Sequence, residues 1–298
     1  MRKPVLLALA LCVIPSLPAV AQNNSLAGVI DIHVHAAPDS TPRSIDVIDL
    51  ARMAKARGMR ALVFKSHFEP TASMAYLVRK EVPGILAFGG IDLNLTVGGM
   101  NPSAVEHMAN ITGNYGRVVW MSTYDSQAQV LADKQNRPFV RISRDGQLLP
   151  ETKAVIAMIA KHNLVMATGH NSAPEDLLLI RESRAQGVKH MVVTHPIVAP
   201  IHMTIPQMQE AAGMGAYIEF TYLGVKSGQF SFAEYAKAIR QVGVEHCILS
   251  SDMGQPANSV HPDGLAAFFA GLKQQGFTQA EIDTMSKTNP ARLLGLEP

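Results

Sequence analysis

Cysteine is almost missing from this chain, with only Cys12 and Cys247 among 298 residues. A disulfide-stapled scaffold is therefore excluded, and stability must come from an apolar core. Charge is scarce as well. Lys+Arg number 26 and Asp+Glu 24, together 17% of the chain, for a formal net charge of +2. That is too little charge for a disordered polyelectrolyte, and with no Lys/Arg-rich run it leaves no basic footprint for nucleic acid. Internal repeats and low-complexity tracts are absent, and no Gly-x-Gly-x-x-Gly follows the first apolar run. Beyond the N-terminus no apolar stretch is long enough to span a bilayer. What remains is 47% apolar residues, ample for a sizeable core.

The N-terminus reads as an export signal over residues 1–21. Arg2 and Lys3 precede an apolar run, residues 5–14, and Ala19-Val20-Ala21 supplies the small residues of a cleavage site. The run is too short for a membrane anchor and is followed by Pro15 and Pro18. Cleavage after Ala21 removes two basic residues and Cys12, so the mature chain is expected to be electrically neutral, to carry Cys247 alone, and to be periplasmic or secreted.

Residues 22–298 alternate short apolar runs with helical patterns. Eight runs stand out: 29–34, 61–64, 85–88, 117–120, 164–167, 191–194, 216–220 and 247–250. Between them lie segments such as Ile45, Val47, Ile48, Leu50, Met53 and Ala54 before Gly58, or 233–242 before Gly243. Eight strands each followed by a helix predict a single α/β domain, a (β/α)8 TIM barrel. A doubly wound sheet is the alternative, and it lacks its phosphate-binding fingerprint. After the fourth strand, residues 124–150 interrupt the even spacing, and 139–143 and 147–149 flank the turn pair Asp145-Gly146. This hairpin insertion is a candidate lid on the active-site face or a plain surface hairpin.

Chemistry-bearing residues gather at strand ends. Asp31-Ile32-His33-Val34-His35 closes the first strand, and simple alternation places Asp31, His33 and His35 on one face, with Ile32 and Val34 towards the helices. Two imidazoles at i and i+2 can chelate one cation. His170 follows the fifth run, His195 the sixth and Asp252 the eighth. The C-terminal ends of barrel strands are where this fold builds its sites. Nitrogen and oxygen donors of this kind suit Zn²⁺ first, with Mn²⁺, Fe²⁺, Co²⁺ and Ni²⁺ also admissible.

In this order, His-x-His on strand one, His on strands five and six and Asp on strand eight, the chain resembles the amidohydrolase superfamily of metal-dependent hydrolases. The closing phrase Asn289-Pro290-Ala291-Arg292-Leu293-Leu294-Gly295-Leu296 is similar to one common in such proteins. Lys65-Ser66-His67 and Pro38-Asp39 resemble an uncharacterised amidohydrolase-related family. The resemblance implies that His33, His35, His170 and Asp252 ligate one or two metal ions, with His195 a further ligand or the holder of the nucleophilic water. A divalent cation lowers the pKa of its water from near 16 towards about 7. Asp252 then takes up the proton and passes it to the leaving group. Thr168 and Asp31 are expected to orient imidazoles.

Strand four carries no Lys or Glu to bridge two metals, whereas Lys65 lies on strand two. Lys65 is read three ways: an anchor for a substrate anion, a carboxylated metal bridge, or a snorkelling rim lysine. His67, Arg43 and Glu219 are weaker substrate-binding candidates; Glu219 is also read as an acid behind the ligands or, more plainly, as a member of a barrel-interior ion pair. Asp92 and Asn94, after Gly89-Gly90, are expected in a loop, capping it, with substrate contact as the alternative. His202 and His261 are expected on the top face and solvated, and His107, His162, His190 and His246 are expected to be structural. Trp120 and the fifteen methionines read as core. The expected function is hydrolysis of an amide, lactone or ester-like bond of a small molecule. A decarboxylase or lyase and a non-catalytic metal-holding binder are the alternatives, and association into a homo-oligomer is left open.

Overall fold

The computed structural model describes residues 26–297, so the expected export signal over residues 1–21 lies outside the described residues. The strands are β1 Ile30–Val34, β2 Ala61–Phe64, β3 Leu86–Asp92, β4 Gly116–Trp120, β5 Ser143–Arg144, β6 Gln147–Leu148, β7 Val165–Ala167, β8 His190–Val193, β9 Ala216–Thr221 and β10 Cys247–Ser250. Eight of them form one parallel sheet in the order β1-β2-β3-β4-β7-β8-β9-β10. A parallel bridge between Val34 and Met253, with Asp252 N donating to His33 O at 3.0 Å, brings its two edges together. This is the (β/α)8 barrel expected from the spacing of the apolar runs, with helices such as Val47–Ala56, Pro150–Lys161 and Phe232–Val242 around it. Their starts are written in the sequence: Asp46 accepts from Ile48 N and Asp49 N at 2.8 and 2.9 Å, and Ser231 forms a capping box with Glu234. No helix among the described residues is long and apolar enough to cross a membrane.

Two apolar layers result. Ile30, Ile32, Ala61, Val63, Phe88, Val118, Trp120, Val165, Ala167, Val192 and Ile248 fill the barrel interior, and Leu293 and Leu294 of the C-terminal phrase pack with them. Asn289 fixes that phrase by donating to the carbonyls of Val244 and Cys247 at 2.9 and 2.7 Å. The outer layer, between sheet and helices, holds Val34, Leu62, Phe64, Met166 and Leu249. Cys247 is a buried free thiol, pushed up by burial and so unreactive.

Three sequence expectations need correction. Ile32 faces the barrel interior with Ile30, because the β1–β2 register shifts between Asp31 and Val34. That irregularity resets the strand's parity, so Asp31 does not share a face with His33 and His35. Asp92 ends β3 rather than sitting in a loop, since Gly89-Gly90 are strand residues. A side chain at Gly90 would collide with the Val118 carbonyl and the Trp120 ring, and Gly90 N is bonded to Thr71 Oγ1 at 2.8 Å. His261 is fully buried instead of solvated.

Burial gives His261 a pH signature. It holds the imidazole at about 4 against an ordinary 6.5. Because the folded value lies below the unfolded one, the contribution to stability is complete above pH 6.5 and is lost as pH falls to about 4. The window corresponds to ~3 kcal/mol. Urea unfolding between pH 7 and 4 should show this loss, and His261→Gln should flatten the pH dependence by that amount; an unchanged slope would refute the assignment.

The segment after β4 contains the helix Gln127–Ala132 before the β5–β6 pair. Only four residues are strand, fewer than expected, and Ser143 Oγ donates to Glu175 at 2.7 Å, tying the hairpin to the helix Ala173–Ala185. This segment reaches the barrel mouth through Tyr124 and through Gln129 of the helix.

Candidate metal centre

All eight barrel strands deliver a polar side chain to one end of the barrel. They are His33 and His35 with β1, Lys65 and His67 after β2, Asp92 on β3, Thr123 after β4, His170 after β7, His195 after β8, Glu219 on β9 and Asp252 after β10. Five imidazoles close a ring. Centroids lie 5.4 Å apart for His33 and His35, 5.0 Å for His35 and His67, 5.8 Å for His67 and His170, 4.9 Å for His170 and His195, and 5.8 Å for His195 and His33. His67 is thus a member of the ring, which its position in the sequence alone did not establish.

Backbone strain and close approach aim these groups. His195 and Asp252 have φ of 24° and 53°, a left-handed conformation unusual for residues other than glycine. Gly169, at φ 76°, lets the chain turn into His170; a β-carbon there would strike the carbonyl oxygens of Met121 and Ser122. Gly169→Ala is therefore expected to cost roughly 1–3 kcal/mol in unfolding free energy, read by urea denaturation, and to displace His170. A neutral effect would show that the turn has room.

Hydrogen bonds set the tautomers. His33 Nδ1 lies 3.1 Å from Glu219 Oε1, and that carboxylate also receives Ser250 Oγ at 2.6 Å and His195 N at 3.2 Å. His170 Nδ1 lies 3.0 Å from Gln129 Oε1, whose amide nitrogen donates to Asp133. With acceptors on their Nδ1 atoms, His33 and His170 carry the proton there and present bare Nε2 atoms to the mouth. Burial holds His33, His35 and His170 well below the ordinary imidazole value and lowers His195 and His67; the charge of Lys65 acts in the same direction. All five rings are neutral at pH 7.

Asp252 faces these rings. Its Oδ1 lies 3.2 Å from His33 Nε2 and 3.4 Å from His35 Nε2. Burial alone would raise this carboxyl, but nearby positive charge, that of Lys65 included, more than offsets it, and its pKa is lowered. The Asp252 oxygen and the bare His33 Nε2 are therefore acceptors pointing at one another, an arrangement that is repulsive without a cation between them, and His35 Nε2 stands beside them. Ligands about 2.0–2.1 Å from a tetrahedral Zn²⁺ stand roughly 3.3 Å apart, so the spacing fits. His33, His35 and Asp252 are a buried group able to hold an ion, and His170 Nε2 and His195 Nδ1 are buried without a hydrogen-bond partner.

Other expected residues fall differently. Asp31 holds backbone, accepting from His33 N at 3.2 Å and Ser251 N at 3.0 Å; Thr168 likewise receives Thr194 N at 3.2 Å. Neither orients an imidazole directly. Arg43 is committed to Asp39 through two bonds of 2.9 and 2.7 Å. Lys65 is 2% exposed, which contradicts the snorkelling reading. His67 Nδ1 is 2.9 Å from Thr123 Oγ1 and 3.2 Å from Asp92 Oδ2; Thr123 in turn donates to Asp92 at 2.8 Å. Gln129 had no spacing signal in the sequence, and its one cue is a place three residues after the helix-capping Ser126.

Residues 28–219 match the family model of DUF6282, a family of unknown function, and the chain belongs to that family. No curated protein matches. Among solved structures, an amidohydrolase from Pseudomonas aeruginosa is similar with a TM-score of 0.64 and 14% identity, covering 92% of this chain and 97% of its own. A phosphotriesterase homology protein from Escherichia coli, complexed with phosphate in its active site, gives 0.60 and 18%, covering 90% and 99%. A 2,6-dihydroxybenzoate decarboxylase from Rhizobium gives 0.56 and 12%, covering 90% and 99%. The (β/α)8 barrel fold is shared with all three.

Proposed function

We propose that this chain is a metal-dependent hydrolase of small molecules, acting on an amide, lactone or ester-like bond. The observation that carries the reading is the convergence of the neutral, buried His33 Nε2 and His35 Nε2 on one Asp252 carboxylate oxygen, at 3.2 and 3.4 Å. In this reading His33, His35, His170 and Asp252 hold a divalent cation, most simply Zn²⁺, and His195 stands beside it. Such an ion supplies Lewis acidity for the scissile oxygen and makes water more acidic. Asp252 accepts the proton of the attacking water at a carboxylate oxygen and returns it to the leaving group. Glu219 keeps the His33 proton on Nδ1 and so keeps Nε2 free. Gln129 does the same for His170.

The presence of Asp252 among the rings favours turnover over mere binding, because the carboxylate can move a proton as well as ligate. The test is a panel of esters, lactones, amides and carboxylic acids offered to the purified protein before and after chelation. Hydrolysis that is lost on chelation and restored by Zn²⁺ or Mn²⁺ is expected. Release of CO₂ from an acid, with no ester or amide cleaved, would replace hydrolysis by decarboxylation; metal retained with no turnover would leave a binder.

A further inference from the structure

Lys65 is the buried charge that metal ligation and proton transfer leave unused. Its ammonium is sealed among the side chains of the mouth, with Nζ making no hydrogen bond. Its nearest anion is Asp92, at 3.5 Å from Oδ2. That oxygen already accepts the Thr123 hydroxyl and faces the His67 ring. The Trp120 face, 5.6 Å away, gives partial compensation. A buried ammonium with three unspent donors is costly unless an anion comes to it. Its charge acts on all five imidazoles of the ring, lowering each. A divalent cation beside it would sharpen the need for an anion.

We propose that Lys65 anchors a carboxylate of the substrate, so that this site takes an organic monoacid whose apolar body points towards Phe68 and Tyr124. The inference rests on the mouth being the active site described above. A carboxylated Lys65 would set a second anion against Asp92 where the structure has an ion pair. A phosphate dianion would need several donors, yet Arg43 is spent on Asp39, and Asp92, Asp252 and Glu219 crowd the same space. His67 donates through Nδ1 and offers only an acceptor at Nε2, which steers an anion to the lysine. The apolar wall is next to His67: its ring centroid lies 6.2 Å from Phe68 and 6.3 Å from Tyr124, and those two are 5.8 Å apart. Tyr124 is 39% exposed, with the Arg137 guanidinium over one face of its ring at 4.1 Å.

Calorimetric titration of the purified protein with benzoate, its neutral isostere benzamide, acetate and inorganic phosphate tests this, with metal content measured in each sample. Benzoate should bind at least about tenfold more tightly than benzamide, the usual worth of a charge-assisted bond. Lys65→Met should erase that preference, Lys65→Arg should retain part of it, and Tyr124→Ala should weaken benzoate but not acetate. Should the Met variant fail to fold, the preference must still survive chelation of the wild type, since a metal alone would otherwise explain it. Equal affinity for benzoate and benzamide, a preference that survives Lys65→Met, tighter binding of phosphate, or a ¹³C-carbamate signal on Lys65 after labelled bicarbonate would each overturn the proposal. Loss of hydrolysis with the benzoate preference intact rejects the hydrolase reading alone. Hydrolysis indifferent to substrate charge rejects the lysine anchor alone.

Discussion

Asp252→Asn is expected to lower kcat by about a thousandfold while the protein keeps most of its metal, because a general base and acid typically contributes 10²–10⁴ to the rate. The substitution preserves size and one ligating oxygen, and His33, His35 and His170 remain to hold the ion. What it removes is the site for the proton. Asp252 is suited to that task because nearby positive charge, that of Lys65 included, holds its pKa below the ordinary carboxylate value despite burial. Its left-handed backbone, φ 53°, directs the side chain to the rings, and Asn tolerates that conformation well, so fold and aim should persist. Measuring kcat per bound metal separates lost chemistry from lost metal. Activity per metal close to wild type would remove Asp252 from the proton path.

Replacing His33 and His35 together by Ala is expected to reduce bound divalent metal from about one or two ions per chain to almost none, with turnover falling to background. The two rings share Asp252 Oδ1 as a neighbour at 3.2 and 3.4 Å, and the Asp252, His170 and His195 that remain lack a chelating pair on one strand. The barrel should still fold, since Ile30, Ile32 and the interior layer beneath the site are untouched. Its melting temperature should fall, through loss of the stabilisation that metal binding confers on the native state. Because burial keeps the imidazoles neutral, metal retention by the wild type should be flat around neutral pH and decline only in acid, well below the ordinary imidazole value. Elemental analysis at several pH values reads both effects.

The barrel was legible in the sequence because each parallel strand is buried on both faces and so reads as an apolar run, while caps such as Asp46 and Ser231 mark helix starts. His33, His35, His170, His195 and Asp252 were legible because each follows such a run, at the end where barrels place chemistry. The rest depended on what no spacing rule carries. The parity of β1 turned on a register shift against β2, so Asp31 and Ile32 were assigned to the wrong faces. Asp92 was hidden by two glycines that resemble a turn but serve to admit Thr71, Val118 and Trp120 against the strand. Gln129 comes from a helix forty-one residues before His170, and only the fold joins them. Glu219 looked like an interior acid; its partners, His33, His195 and Ser250, come from three other strand ends.

The most direct measurement is anomalous diffraction from crystals of the purified protein, collected on either side of the zinc edge and, if needed, the manganese and iron edges. A peak bounded by His33 Nε2, His35 Nε2 and the Asp252 carboxylate, at about 2.0–2.2 Å from each, is the expected result. A fully active protein with no anomalous peak among these residues would contradict it.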